Sequence, residues 1–142
     1  GRSLNSDDKL RYITIMLDES KIKVFGLDRL DFNKTIYITE GPIDSLYIDN
    51  AIAMAGADVD WSALVGKEVV FVYDNERRNR DIVKRMEKAI EKGYEIVIWP
   101  ENLKEKDLND MFIAGHDVQS LVEFNTYSGL QAQIKLSEWK KV

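Results

Sequence analysis

"EVVFVYD", Glu68 to Asp74, is the stretch on which the fold turns. From Val69 to Tyr73 every residue is β-branched or aromatic, and no polar residue alternates with them. That pattern predicts a strand buried on both faces, as inner parallel strands are. The run ends on an acid, Asp74. Beyond it, "NRDIVKRMEKAIEKG" (Asn79–Gly93) places Ile82, Val83, Met86, Ala89 and Ile90 at helical spacing. Gly93 stands where a helix stops. "YEIVIWP" (Tyr94–Pro100) then reads as a second apolar strand. Strand, helix and strand in this order predict a parallel pair joined by a crossover.

Working outward, "TIYIT" (Thr35–Thr39) predicts a buried strand ending on Glu40. "IDSLYID" (Ile43–Asp49) predicts a helix with Ile43, Leu46 and Tyr47 on one side and Pro42 at its start, where a missing N–H costs nothing. "AIAMAG" (Ala51–Gly56) predicts a short strand and turn, and "WSAL" (Trp61–Leu64) a helical turn. "KDLNDMFIAG" (Lys106–Gly115) and "DVQSLVEF" (Asp117–Phe124) predict two further helices. The weakly patterned tail to Val142 predicts helix or loop packed on the body. The expected fold is α/β, a mostly parallel sheet flanked by helices. Ligands of such sheets gather beyond the carboxyl ends of the strands. The acids stand there: Glu40 after one strand, Asp74 and Glu76 after another, and Asp107 and Asp110 a short loop after a third.

The composition narrows the chemistry. A chain of 142 residues, 44% hydrophobic and 32% charged, suits a folded domain with a core of its own. Cysteine is absent, which excludes disulfides, thiolate zinc sites and thiol catalysis and suits a reducing, cytoplasmic setting. His116 is the single histidine, so a multi-histidine zinc site is excluded. No apolar run approaches the length of a membrane helix. The net charge of −5 argues against a generic basic nucleic-acid coat. The first residues, "GRSLNSDDKLRYITI", begin without Met and read as part of a longer protein. Gathered carboxylates repel one another, and a divalent cation offsets that repulsion. Oxygen ligands favour Mg²⁺ or Mn²⁺. If the segment is extended, Asp74 and Glu76, two residues apart, point to one side and share an ion. Such a site suits phosphoryl or nucleotidyl transfer.

The same residues carry a resemblance. "EGPID" (Glu40–Asp44), "VYDNE" (Val72–Glu76) and "KDLND" (Lys106–Asp110), in that order and each at a strand–helix junction, resemble the Toprim domain of bacterial-type primases, topoisomerases and some nucleases. "GRSL" (Gly1–Leu4), "RYITI" (Arg11–Ile15) and "FGLDRL" (Phe25–Leu30) resemble primases in particular, and "EGPIDSL" and "VYDNE" those of tailed phages. The resemblance implies a remnant of the preceding primase subdomain over residues 1–33, a Toprim catalytic domain over 34–117 and a C-terminal extension over 118–142. It implies a metal-dependent primase that builds short RNA primers from NTPs on single-stranded DNA, working beside a replicative helicase in the bacterial cytoplasm, away from membranes. Glu40 matches a glutamate described as metal ligand or general acid/base, and Asp74 the first acid of D-x-D, a metal ligand. Glu76 stands where the family usually has Asp, and "RRNRD" (Arg77–Asp81) replaces the Ala-Gly that often follows. Asp44, Asp107 and Asp110 match secondary acids with Lys106 beside them; by the resemblance Asp107 is a further metal candidate, and Asp44, Lys106 and Asp110 belong to the nucleotide- or template-binding set. Arg2 and Arg11 match basic positions facing nucleotide or template, and Arg77 and Arg78 suit phosphate contact.

Plainer readings stand beside these. Asp44 suits a helix start, Asp107 and Asp110 suit first-turn acids, and Arg77, Arg78 and Arg80 suit a solvated helix start. His116 reads as a helix-end or loop residue, and Tyr73, Trp61 and Trp99 as packing rather than base-stacking groups. The alternative functions are a Toprim nuclease and a metal-binding replication module without turnover. The alternative fold is a response-regulator-like domain, which gives no reason for Glu-Gly-x-x-Asp after the first strand.

Overall fold

The computed structural model describes residues 24–25, 30–41, 43–54 and 68–142. The chain divides into two compact units, Gly1–Glu68 and Val69–Val142. The division falls inside the 34–117 stretch expected to form one catalytic domain. "WSAL", Pro42, and all but a few residues of the N-terminal stretch lie outside the described residues.

In the first unit, β2 (Ile36–Thr39) and β3 (Ala51–Met54) run parallel, with Ile38 opposite Ile52 and Thr39 opposite Ala53. β1 (Val24–Phe25) adds to β3 antiparallel, Val24 opposite Met54. All four residues of β2 are buried, as its unbroken apolar pattern predicts.

The connection between β2 and β3 departs from expectation. In place of a helix over Ile43–Asp49 there is one 3₁₀ turn, Asp44–Tyr47. Ile43 and Leu46, expected inside, are each 59% exposed, while Asp44 and Ser45 are buried. The cause is the tighter winding. At three residues per turn, Ile43 and Leu46 eclipse each other, and that face looks outward. Asn50 closes the connection in the left-handed region, at φ 56°. Its Oδ1 accepts from the Asp31 backbone N–H at 2.7 Å, and its Nδ2 donates to the carbonyls of Asp31 and Thr35 at 2.9 Å each. A short amide is among the few side chains at ease in that conformation.

In the second unit, β4 (Val69–Val72) and β5 (Glu95–Val97) are parallel, joined through α1 (Arg80–Glu91). α1 buries Ile82, Val83, Met86, Ala89 and Ile90, the five residues its spacing selects. It ends at Gly93, whose φ of 87° would strain any residue with a Cβ. α2 (Leu108–Ile113) and α3 (Val118–Phe124) follow. β6 (Thr126–Tyr127) then pairs antiparallel with β5, Ile96 opposite Tyr127. The tail is an ordered helix, α4 (Gly129–Trp139), burying Ala132, Leu136 and Trp139. Its periodicity was masked because Leu130 and Ile134, on its outward side, are also apolar and stand 70% and 52% exposed. Parallel strand pairs, each accompanied by helical connections, place the chain in the expected α/β class.

Candidate active site

In the first unit, the end of β2 delivers Glu40 into a tight turn. Thr39 is buried and its hydroxyl donates to the Gly41 carbonyl at 3.1 Å. This folds the backbone back just after Glu40. Glu40 is half-buried, and its Oε1 is closed off from solvent. Gly41 is needed for space: a Cβ there would lie 3.2 Å from Oδ2 of Asp44. Asp44 is thus folded over the Gly41 backbone, although the residue is an acid and 8% exposed. Gly41 and Asp44 therefore pack closely on each other directly after Glu40.

In the second unit, β4 ends at Val72, and the acids lie on the loop that follows. Asp74 and Glu76 are both half-buried. The segment is not extended, contrary to expectation: the Glu76 N–H donates to the Asp74 carbonyl two residues back, at 2.8 Å. A three-residue turn replaces the pleat, so the period-two argument for a shared side does not hold. Glu76 is held from two directions. Lys106 Nζ stands 3.7 Å from its Oε1, and Asn79 Nδ2 donates to Oε2 at 3.4 Å. Asn79 also caps α1, its Oδ1 accepting from the N–H groups of Asp81 and Ile82.

The third motif meets this loop. The Asn75 backbone N–H donates to the Lys106 carbonyl at 2.6 Å, bringing "KDLND" alongside "DNE". Asp107 is the N-cap of α2, its Oδ1 accepting from the Asp110 N–H at 2.8 Å. Asp110 lies in the first helical turn and is exposed. Arg77 turns one nitrogen to the Pro100 carbonyl at 2.7 Å, a scaffold contact that the sequence did not announce. Arg78 is exposed. Trp99 is buried, its indole N–H donating to the Tyr73 carbonyl at 2.8 Å, and Tyr73 is buried with its ring 6.0 Å from that of Phe71. Both are packing residues, as read. His116 follows α2 and faces Glu105, Nε2 to Oε1 at 3.4 Å. Arg2, Arg11 and Trp61 lie outside the described residues.

The donor chemistry bears on a metal. Among the described residues, no three Asp, Glu, His or Cys side chains are gathered closely enough to hold an ion between them. An all-protein cage is therefore not formed there. Asp74 and Glu76 offer hard carboxylate oxygens. Those suit Mg²⁺, which commonly takes one or two carboxylates and completes its shell with water and substrate phosphate.

No protein-family model matches the chain. Over 148 aligned positions, which take in the whole chain, it is 36% identical to the DNA primase of Enterobacteria phage T4. It is a relative of a phage primase. The chain spans 43% of the length of that enzyme. The residues that make this primase relative's acidic loop rigid are the ones its sequence concealed. Asn75 and Trp139 are hydrogen-bonded across 64 positions of chain, and no local pattern marks either. Arg77 has the composition of an anion-binding residue and is used in part to secure a turn.

Proposed function

We propose that this chain forms the catalytic region of a phage-type DNA primase and joins ribonucleotides into short primers on single-stranded DNA. The observation that carries the reading is the identity to the T4 primase along the entire chain. The acid-bearing turns after parallel strands support it. In the reaction, the 3′-hydroxyl oxygen of the growing primer bonds to the α-phosphorus of an NTP. The bond to pyrophosphate breaks, and the hydroxyl proton passes to a base.

Asp74 and Glu76 would hold Mg²⁺ or Mn²⁺. Once bound, the ion supplies charge stabilisation to the phosphoryl oxygens. Glu40 is assigned as metal ligand or proton acceptor. Lys106, whose side chain is 59% exposed, and the exposed Arg78 would meet NTP phosphates or the template backbone. Asp44, Asp107 and Asp110 shape the turns that present these groups. The template, the NTPs, a replicative helicase as partner of the longer protein and a cytoplasmic site of action belong to the same reading.

The test is one incubation with labelled single-stranded DNA, four NTPs and Mg²⁺ or Mn²⁺, run beside Glu40→Ala. New short RNA that disappears in the variant is the expected result. Strand shortening that depends on Glu40, without new RNA, would establish a nuclease instead. RNA synthesis unaffected by the substitution would remove Glu40 from the reaction.

A further inference from the structure

Three ties secure the loop after β4, and they fall on alternate residues. The Tyr73 carbonyl accepts from the Trp99 indole at 2.8 Å, Asn75 Oδ1 from the Trp139 indole at 3.0 Å, and the Arg77 carbonyl from the Lys141 N–H at 2.9 Å. The residues between them are Asp74 and Glu76. Asn75 is the most heavily bonded of the three. Besides its Trp139 bond, its Nδ2 donates to the carbonyls of Leu103 and Glu105, each at 3.0 Å, and its backbone N–H donates to Lys106.

The chemistry of the partners fixes the amide's orientation. An indole N–H only donates and a backbone carbonyl only accepts. Turned over, the amide would face two carbonyl oxygens with its own oxygen and the indole N–H with its NH₂ group, losing all three side-chain bonds. The amide therefore has one setting, and in that setting it joins the loop of Asp74 and Glu76 to the loop that leads into Lys106 and Asp107. Trp139 is 3% exposed and belongs to the buried face of α4 with Ala132 and Leu136, so it is a firm point of attachment.

We propose that Asn75 is the positioning residue of the acidic loop, and that α4, through Trp139, is the element that sets it. Asn75 touches no reacting atom in this assignment. It holds the spacing between Asp74, Glu76 and Lys106, on which binding of a divalent cation depends. The inference rests on the metal role proposed above for Asp74 and Glu76.

The experiment is a Mn²⁺ titration of the chain, with free Mn²⁺ counted by its paramagnetic resonance and no turnover required. Wild type is compared with Asp74→Asn, Asn75→Ala and Trp139→Phe. The Trp139→Phe variant keeps an aromatic ring on the buried face of α4 and removes the indole N–H together with part of the bicyclic ring, so its unfolding curve is read beside the titration and its binding is interpreted only in the folded variant. Denaturant unfolding and amide NMR spectra accompany each titration. Expected is loss of binding in Asp74→Asn and weakening of about 10–100-fold in Asn75→Ala and Trp139→Phe, the range typical of residues that orient metal ligands. The shifted amide signals of the folded Trp139→Phe variant should cluster at residues 74–76 and 103–107. Loss of binding in Asp74→Asn with wild-type affinity in Trp139→Phe would overturn the positioning role and leave the metal site standing. Wild-type affinity in Asp74→Asn, or no binding by the wild-type chain, would overturn the metal reading and this one with it.

Discussion

At the scale of single residues, side chains with one dominant task are the easiest to test. Asn50 combines a left-handed backbone with hydrogen bonds to Asp31 and Thr35. Alanine there gives up those bonds and is strained at that φ. Asn50→Ala should therefore destabilise the chain by about 2–4 kcal/mol, read from urea unfolding. Glycine at the same position should recover part of the loss, because it removes the strain and not the missing bonds. Asp74→Ala makes the opposite demand. It removes a half-buried loop acid, so stability should change by no more than about 1–2 kcal/mol while Mn²⁺ binding disappears. Calorimetric titration beside the urea curve separates the two effects. Glu40 and Asp74 stood out as candidates in the sequence because an acid at the end of a buried apolar strand is out of keeping with the run before it. Asn75 was not, since an asparagine between two acids is ordinary loop composition and its partners lie 28 or more residues away.

At the scale of elements, caps and loop closures connect fold to site. Asn79 caps α1 and also touches Glu76. Asn79→Ala should cost about 0.5–2 kcal/mol in thermal or urea unfolding. Asn79→Ser should restore most of the stability, as serine caps helices and is too short to reach Glu76 in the same way. Asp107 and Asp117 cap α2 and α3 in the same fashion, and that task already occupies one oxygen of Asp107. The loop before α2 carries a pH-dependent contact. The Glu105 carboxyl is held below the usual glutamate range, chiefly by its own backbone N–H, with burial opposing that effect and His116 adding to it. A depressed carboxyl pKa contributes stability above the unfolded-state value and loses it as pH falls through the folded one. Urea midpoints of wild type and Glu105→Gln should therefore differ near neutral pH and converge below the ordinary carboxylate range. A gap that persists in acid would mean that packing, not charge, is what Glu105 supplies. α1 was legible because one face is apolar and the other charged. α4 was not, because Leu130 and Ile134 blur the contrast its buried face would otherwise show.

At the scale of the whole molecule, two compact units divide the chain at Glu68, and each has its own buried set. Ile38 and Ile52 are fully buried in the first, and Met86, Ile96, Val97 and Val122 in the second. Truncating any of them leaves a cavity. Ile52→Ala and Met86→Ala should each cost about 2–5 kcal/mol, a large share of the ~5–15 kcal/mol typical of a folded protein. Amide hydrogen exchange is the discriminating measurement: each substitution should speed exchange first in its own unit. Uniform loss of protection across both would show that the two unfold as one. The net charge of −5 belongs to this scale as well. A net negative charge gives this stretch no long-range attraction for a polyanion, so the contacts proposed for Lys106 and Arg78 would act at short range.

What the sequence determined by itself was the four strands β2 to β5, the main helix and the order of three acid-bearing junctions; β1 and β6, two residues each, were not foreseen. Burial on both faces demands an unbroken apolar run, burial on one helical face demands a period of 3.6, and both are properties of neighbours in the chain. It also limited the metal donors on offer to oxygen groups and one imidazole, since cysteine is absent and histidine single. The tertiary structure decided the rest. It made the connection after Glu40 a 3₁₀ turn with Asp44 inside and Ile43 outside, bent the Asp74–Glu76 segment out of the extended form, and tied Asn75 to Leu103, Glu105 and Trp139. Each of those outcomes depends on a hydrogen-bond partner or a packing face that the fold supplies, and no local run of residues encodes where that partner will stand.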